Sequence, residues 1–295
     1  MKRTLVKIMA LTLALVTIFA FTACKKEIKN GSQIQRMKVE LSYQDAAGEE
    51  VITTTVGLEL YLNFAPETVA HFIALCEEGY YNNVCVSNVS DKWLEFGGYK
   101  YDADGNFVEN AYTKQPINGE FAKNGWIGNK LSVTQGSLIL KRDYDDGESS
   151  KYNTAKGTVI VCLSSGAAST FSSDRYCVFG MVTSDDANAE ATTDVEKKSS
   201  IAKLSSLASF AQQEVNGNKV TTWFYEGDNE QYKNQFITKW VDEDGETHYA
   251  KGASTEGEEM TSEQVEDFLD LYGEETKSFL VVPYTQIVIK SITKA

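Results

Sequence analysis

The chain has 295 residues, of which 42% are hydrophobic and 24% are charged. This composition excludes a polytopic membrane protein and a disordered chain, and it indicates a globular body. The formal net charge of −14 argues against a nucleic-acid partner, because a phosphate backbone would be repelled. His71 and His248 are the only histidines, which excludes a His-rich metal site and disfavours a serine-type triad. We therefore expect neither a metal nor a cofactor.

The N-terminal segment has the pattern of an export signal. Three basic residues precede an apolar run, 8–20, which is too short to span about 30 Å of hydrocarbon as a permanent anchor. The run ends in Phe-Thr-Ala before Cys24, which resembles a bacterial lipobox. This pattern predicts a lipoprotein signal peptide over 1–23, a lipid on Cys24, a polar tether over 24–35, and a location at the bacterial cell membrane, facing outside the cytoplasm. An ordinary signal peptide with an incidental cysteine is the alternative.

The remaining cysteines are Cys76, Cys85, Cys162 and Cys177. An exported location permits disulfides. Each of the four lies in an apolar or alternating stretch, which favours buried free thiols, and no pair has metal-ligand spacing. The sequence leaves open whether any of them pair.

The first two thirds of the chain predict a mainly β fold. Segments 37–43 and 51–62 alternate polar and apolar side chains and predict a hairpin, and a helix follows from Pro66 to Gly79. Short strands at intervals with one early helix indicate a closed or nearly closed β-barrel rather than a βαβ sheet. The later strands, all short and strongly apolar, are 136–141, 157–163 and 176–182.

The last third begins with an amphipathic helix predicted over 201–213. Segment 219–249 is rich in aromatic residues and contains a predicted hairpin at 242–245. A second helix is predicted over 261–272, with Ser262 as its cap. The aromatic residues are most simply the core of a small lobe, although an exposed cluster would suit a peptide or a glycan.

Several short motifs follow one another in a set order. Leu60-Tyr61 precedes Ala-Pro-Glu-Thr-Val at 65–69, the first helix ends in Gly79-Tyr80-Tyr81, and Gly97-Gly98 comes next. Further matches are Gly119-Glu120-Phe121, 136–140, 153–161, 178–182 and 287–289. In their order and spacing these motifs make the chain similar to the cyclophilin family of peptidyl-prolyl isomerases over 36–184 and 284–293.

This resemblance implies a fold that is mainly β with flanking helices. The implied architecture is a closed eight-stranded β-barrel capped by two helices, with a peptide groove on its outer face and a small lobe inserted before the last strand. The implied boundaries are 36–213 and 276–295 for the cyclophilin-like domain and 214–275 for the insertion lobe. The implied partners are proline-containing or extended segments of exported proteins. The membrane is a further expected partner, through the lipid that the N-terminal pattern predicts on Cys24.

Cyclophilins lower the barrier of about 18–20 kcal/mol for rotation about an X–Pro bond, which requires no nucleophile, base or metal. They hold the proline ring in an apolar pocket, and an arginine in a Phe-His-Arg segment donates to the prolyl nitrogen of the twisted amide. The resemblance places Asn88 at the arginine position. Asparagine is shorter and neutral, and a deficit of about 3 kcal/mol would slow turnover by more than roughly 100-fold. A strand-end polar residue is the simpler interpretation of Asn88.

The same register assigns the other groove positions. The family's two substrate-binding glutamines correspond to Phe96 and Thr158, and Lys141 and Arg142 stand where the family has small or polar residues. Arg142 is a candidate substitute donor, although solvation of both cations is the simpler interpretation. The apolar groove residues that the resemblance implies, several of which would equally suit the barrel core, are Trp93, Leu94, Leu140, Ile160, Phe171 and Tyr176.

Three functions follow from these observations. The first is a lipid-anchored peptidyl-prolyl isomerase that acts on exported proteins with weakened catalysis. The second is a non-catalytic, chaperone-like module that grips extended peptides in the same groove. The third is a surface lipoprotein whose aromatic insertion recognises an unrelated ligand. The missing arginine favours the second over the first, and the barrel motifs favour both over the third.

Overall fold

Antiparallel strands make up most of the regular secondary structure of the computed structural model, which describes residues 33–44, 50–143 and 148–295. The predicted signal peptide, Cys24 and most of the tether lie outside these residues. Within them, no helix has the length and apolar character needed to cross a membrane. The helices are α1 (Pro66–Glu77), α2 (Ser200–Ser206) and α3 (Ser262–Glu274), and short 3-10 turns occupy Ala122–Asn124, Ser149–Lys151, Ser165–Ser169, Leu207–Ala211 and Thr276–Ser278. The strands in chain order are β1 (Ile34–Gln44), β2 (Val51–Tyr61), β3 (Val84–Val89), β4 (Trp93–Tyr101), β5 (Phe107–Glu109), β6 (Ser137–Leu140), β7 (Val159–Cys162), β8 (Val178–Val182), β9 (Gln213–Val215), β10 (Asn218–Tyr225), β11 (Phe236–Val241), β12 (Thr247–Lys251), β13 (Glu258–Glu259), β14 (Phe279–Val282) and β15 (Ile287–Lys294).

Eight of these strands close into an antiparallel barrel. Their order is β3-β15-β1-β2-β8-β6-β7-β4, the pairing of β4 with β3 closes the ring, and β5 extends β4 at one edge. Strand β1 pairs with β2 from Ile34 opposite Tyr61 to Gln44 opposite Val51. The predicted hairpin is confirmed, although its connector at 45–49 lies outside the described residues. The closed eight-stranded barrel implied by the resemblance is also confirmed.

Helices α1 and α2 both contribute to the barrel core. Pro66 lies in the first turn of α1, where backbone N–H groups have no intrahelical acceptor, so the missing N–H of proline breaks no hydrogen bond. Phe72 of the same helix is fully buried. The predicted helix over 201–213 is shorter in the structure, because the α-helix ends at Ser206 and continues as a 3-10 turn to Ala211. The Ser206 hydroxyl donates to the carbonyl of Lys203 at 2.7 Å, and such local side-chain bonds compete with regular helix.

The backbone conformation and close packing at Gly97 require a glycine in the Gly-Gly motif. Its φ is +95°, which lies in the left-handed region that favours glycine. A Cβ at this position would lie 2.7 Å from the carbonyl oxygen of Gly157 and 2.9 Å from the ring of Tyr81. The Tyr81 hydroxyl donates to that same carbonyl at 2.9 Å. The glycine therefore allows β4 to approach the segment that leads into β7.

A second sheet forms the lobe. Its order is β13-β12-β11-β10-β14, and β9 also pairs with β10. This sheet starts at Gln213 and includes β14. The sequence places β14 within 276–295, the segment expected to belong to the barrel. The domain boundaries themselves stay a prediction. Helix α3 packs on this sheet, and its cap is Thr261 rather than Ser262, because the Thr261 hydroxyl accepts the N–H of Gln264 at 3.3 Å. The buried lobe core is Tyr225, Tyr232, Ile237, Met260, Phe268, Leu271 and Phe279.

Aromatic side chains join the lobe to the barrel. Tyr99 and Phe107, from β4 and β5, stack with ring centroids 4.7 Å apart. Phe107 contacts Phe224 of the lobe at 4.8 Å and Phe236 at 5.3 Å. Leu280 and Val282 of β14 belong to the same cluster. The lobe is thus packed beside β3 and β4, the strands that carry Asn88 and Trp93 of the predicted site.

Candidate functional site

Strand β4 divides its side chains between the barrel core and the outer surface. Leu94 and Phe96 are 1% and 3% exposed and belong to the barrel core. Trp93 and Glu95, which alternate with them along the strand, lie on its outer face. This separation follows from the period of two along a strand. Leu140, 3% exposed, also lies in the barrel core. The assignment of Leu94, Phe96 and Leu140 to the groove is therefore corrected.

The other apolar groove residues lie together in one outer cluster. The ring of Phe171 meets Trp93 edge-on at 5.1 Å and Tyr176 edge-on at 5.3 Å, and Ile160 packs against them. We call this cluster the outer patch; its other members are Leu131, Val133, Ile139, Cys162, Ala167 and Val178. Trp93 and Leu131 are half-buried, so the patch keeps an accessible apolar surface.

Glu95 connects the outer patch to its polar surroundings. It is 4% exposed, and its Oε1 accepts from Asn88 Nδ2 at 3.1 Å and from Trp93 Nε1 at 3.2 Å. Its Oε2 accepts from Lys141 Nζ at 2.7 Å. Sequence reasoning missed Glu95, although its position two residues after Trp93 on a strand places both on one face. The carboxylate therefore fixes an indole ring, an amide and an ammonium group at once.

Asn88, at the position of the family's arginine, has both ends of its amide engaged. While Nδ2 donates to Glu95, Oδ1 accepts the backbone N–H of Val281 in β14 at 3.0 Å. The residue therefore links the barrel to the lobe. A hydrogen bond from Asn88 to a substrate would require one of these contacts to break.

Lys141 and Arg142 have different environments, and neither is simply solvated. Arg142 is 5% exposed, and its guanidinium carbon lies 4.4 Å from the ring centre of Tyr176 and within 5.3 Å of two further rings, those of Phe121 and Tyr152. Its Nε donates to the carbonyl of Arg175 at 3.0 Å. Arg142 therefore packs inside an aromatic cage, and the expectation of a solvated residue or a substitute donor is corrected.

The Lys141 ammonium remains charged beside the groove. Burial lowers the pKa of Lys141, but the nearby carboxylates of Glu95 and Glu226 outweigh burial, and the pKa is raised overall. The side chain keeps 35% of its surface exposed. A cation of this kind can donate to a polar group that enters the groove.

A polar cavity of about 360 Å³ lies between the barrel and the lobe. Thr158, the predicted groove threonine, and Lys141 are half-buried in its wall, and the buried Glu95 also lines it. The lobe contributes Glu226, which accepts from the Tyr99 hydroxyl at 3.0 Å. Further lining residues are Ser87, Gly98, Glu109, Arg142, Asp143, Thr154, Lys156, Lys277 and Leu280. Because Glu95 also bonds Trp93, the polar cavity adjoins the outer patch.

The cysteines of the described chain do not supply a nucleophile. All four are free thiols in the structure: Cys76, Cys85, Cys162 and Cys177. Burial raises the pKa of each to about 12, so each stays a neutral thiol at physiological pH. The site thus offers an apolar patch beside charged hydrogen-bond donors and acceptors, which suits binding and conformational catalysis.

One group of metal-type ligands lies away from the groove, on the lobe. Oxygen and nitrogen atoms of Asp242, Glu246 and His248 fall within 4.8 Å of one another on the β11–β12 hairpin. His248 Nε2 bonds Asp242 Oδ2 at 3.0 Å, and its Nδ1 lies 3.4 Å from Glu259. Both ring nitrogens are therefore engaged by hairpin carboxylates, and we assign this group to the hairpin's own structure.

The chain is similar to proteins of one known family. The model of the family described as cyclophilin type peptidyl-prolyl cis-trans isomerase/CLD matches residues 50–207, more than half of the chain. The structure of the Cryptosporidium parvum cyclophilin type peptidyl-prolyl cis-trans isomerase is 13% identical, with a TM-score of 0.40, and the match covers 89% of this chain and 98% of that one. The Mimivirus cyclophilin is 17% identical, with a TM-score of 0.36 and coverage of 55% and 85%. No curated protein sequence matches the chain. On the match of the family model, the chain belongs to the cyclophilin-type peptidyl-prolyl cis-trans isomerase family.

Proposed function

We propose that this chain binds proline-containing segments of exported proteins on the outer patch and isomerises their X–Pro bonds with weakened catalysis. The observation that carries the proposal is the outer patch itself, in which the half-buried Trp93 packs edge-on against Phe171 beside a polar cavity. A proline ring has the size and apolar character for such a surface, and the adjoining polar groups can bind the peptide backbone.

The weakened catalysis follows from Asn88. Rotation about the X–Pro bond is accelerated only by contacts that are stronger to the twisted amide than to the planar one. Asn88 is neutral, and its two amide ends are already bonded to Glu95 and Val281. Loss of about 3 kcal/mol of transition-state stabilisation corresponds to a rate roughly 100-fold lower.

The proposed site of action is the outer face of a bacterial cell membrane, reached through a lipid on Cys24. The support is the sequence pattern that ends at Cys24, which lies outside the described residues. Cleavage before Cys24 would remove three positive charges, which takes the formal charge from −14 to about −17. Anionic headgroups repel such a body, so the lipid and not surface charge would hold the protein at the membrane.

A second candidate is a non-catalytic module that grips extended peptides on the same fold. The observation that favours it is the bond from the backbone of Val281 to Asn88, which ties the lobe to the position of the family's arginine. Binding on the outer patch would then persist without any acceleration of the isomerisation. The two candidates share a binding surface and differ only in turnover.

A matched pair of tryptophan variants tests the binding surface. Trp93→Ala removes the half-buried indole of the outer patch, whereas Trp240→Ala removes a half-buried tryptophan that stacks on His248 in the lobe. We expect Trp93→Ala to weaken binding of a dye-labelled proline-containing peptide by about 10-fold or more, as for a central interface residue. Trp240→Ala should bind like the unmodified chain. Equal affinities for the two variants would refute the assignment of the outer patch.

A further inference from the structure

Lys141 holds a charged donor beside the outer patch. It follows directly after β6, and its ammonium nitrogen lies 2.7 Å from Glu95 Oε2. The other oxygen of that carboxylate binds the indole N–H of Trp93 at 3.2 Å. One carboxylate therefore sets the relative position of the apolar surface and the cation.

Two other donors that the sequence predicts near the groove, Asn88 and Arg142, are engaged in structural contacts. The amide of Asn88 bridges Glu95 and Val281, and the guanidinium of Arg142 is stacked against Tyr176 and bonded to the Arg175 carbonyl. Lys141 differs because it lines the polar cavity with 35% of its side chain exposed. An ammonium group has three N–H donors. Among the described residues, Glu95 is the hydrogen-bond acceptor that lies within reach of Lys141 Nζ. The other N–H donors can therefore turn toward a bound peptide.

We propose that Lys141 is the catalytic residue of this chain, donating a hydrogen bond from Nζ to the X–Pro amide of a segment bound on the outer patch. This inference rests on the proposed function. Because Glu95 bonds both the Trp93 indole and the Lys141 ammonium, a proline ring that packs on Trp93 would bring its amide close to that ammonium. No covalent bond forms or breaks in this step. The cation favours the twisted amide, because the nitrogen lone pair of that form is localised and accepts a hydrogen bond. Glu95 acts as a positioning residue, since it orients both Lys141 and Trp93.

The experiment compares Lys141→Met with Lys141→Arg and with Lys290→Met, which removes an exposed lysine of barrel strand β15. Each variant is made in the full-length chain in detergent micelles, and its thermal unfolding is recorded to show that it is folded. Cis–trans exchange of a proline-containing peptide is followed by NMR, and the peptide's Kd is measured separately. We expect Lys141→Met to lower kcat/KM by about 10-fold or more, with Kd changed by less than about 3-fold. Lys141→Arg should keep most of the activity, and Lys290→Met should keep all of it.

The outcomes separate this inference from the proposed function. An active parent chain with an unchanged or faster Lys141→Met variant overturns the role of Lys141, and a faster variant identifies the Lys141–Glu95 pair as an obstruction of the groove. A parent chain that binds the peptide without accelerating its exchange overturns the inference and the isomerase proposal but leaves the peptide-binding candidate. A parent chain that does not bind the peptide overturns all three.

Discussion

The backbone N–H of Val281 donates to Asn88 Oδ1 at 3.0 Å, so a lobe strand contacts the position at which the family carries its arginine. The same asparagine donates to Glu95, and Glu95 in turn pairs with Lys141. A chain of hydrogen bonds thus runs from the lobe strand β14 through Asn88 and Glu95 to the ammonium of Lys141 at the end of β6.

The Asn88–Val281 bond can be tested by hydrogen exchange. Asn88→Ala removes the acceptor and leaves the Val281 amide without this partner, which should cost about 1 kcal/mol of local stability. We expect the Val281 amide to exchange about 5-fold faster, while the amides of β1 and β2 keep their rates. Asn106→Ala, in an exposed turn, is the control and should leave Val281 protected. Unchanged exchange of Val281 in Asn88→Ala would show that the bond does not hold β14 in place.

Phe96→Gln is expected to unfold the barrel rather than restore a groove amide. Phe96 is 3% exposed and contacts Tyr81 at 5.8 Å between ring centroids. Glutamine would leave a cavity and place an amide in an apolar core, at a cost of about 3 kcal/mol or more in the free energy of unfolding. Denaturant unfolding measures the loss, with Phe96→Leu as a milder control. A Phe96→Gln chain of normal stability and higher isomerase activity would return Phe96 to the groove.

The motifs around Gly97 show what the sequence could predict. Order and spacing of short motifs identified the family, and alternation along 37–43 and 51–62 predicted the first hairpin. The assignment of Leu94 and Phe96 to the groove is wrong, because motif alignment gives position along a strand but not which face a side chain occupies. A check of alternation from Trp93 would have placed Glu95, not Phe96, on its face.

Contacts between distant segments were beyond the reach of the sequence. The cage around Arg142 is built from Phe121, Tyr152 and Tyr176, which are separated along the chain and meet only in the folded barrel. The bond between Asn88 and Val281 likewise joins residues 193 positions apart. The sequence suggests a solvated cation at Arg142 and a strand-end amide at Asn88. Only the tertiary packing shows the contacts that both side chains make.

The two histidines should titrate in opposite directions from their ordinary pKa of 6.5. Burial lowers the pKa of His71, whose Nε2–H donates to the Lys156 carbonyl at 2.7 Å. The hydrogen bonds to Asp242 and then Glu259 raise the pKa of His248. The contribution of His248 to stability is present below pH 6.5 and is lost as the pH rises through its folded pKa. That of His71 is present above pH 6.5 and is lost as the pH falls through its folded pKa.

An NMR titration of the imidazole ring protons checks both signs in one experiment. We expect two separate midpoints, one below and one above 6.5, and His248→Gln should remove the upper one. An upper midpoint that survives in His248→Gln would show that the carboxylates of the hairpin do not act on this ring.

The lipid proposed on Cys24 gives a qualitative prediction. Metabolic labelling with a radioactive fatty acid should mark the chain in a bacterial host, and Cys24→Ala should abolish the label. Cys162→Ala is the matched control, because this thiol is buried in the outer patch and should not affect labelling. A label that persists in Cys24→Ala would place the lipid elsewhere, and a parent chain that takes up no label would indicate an ordinary signal peptide.

The most direct test of the account is the cis–trans exchange rate of a proline-containing peptide in the presence of the full-length chain, measured alongside an arginine-bearing cyclophilin. We expect exchange that is faster than the uncatalysed rate, about 100-fold slower than with the arginine-bearing enzyme, and reduced by Trp93→Ala. Exchange at the uncatalysed rate, or at the full rate of the arginine-bearing enzyme, would contradict it.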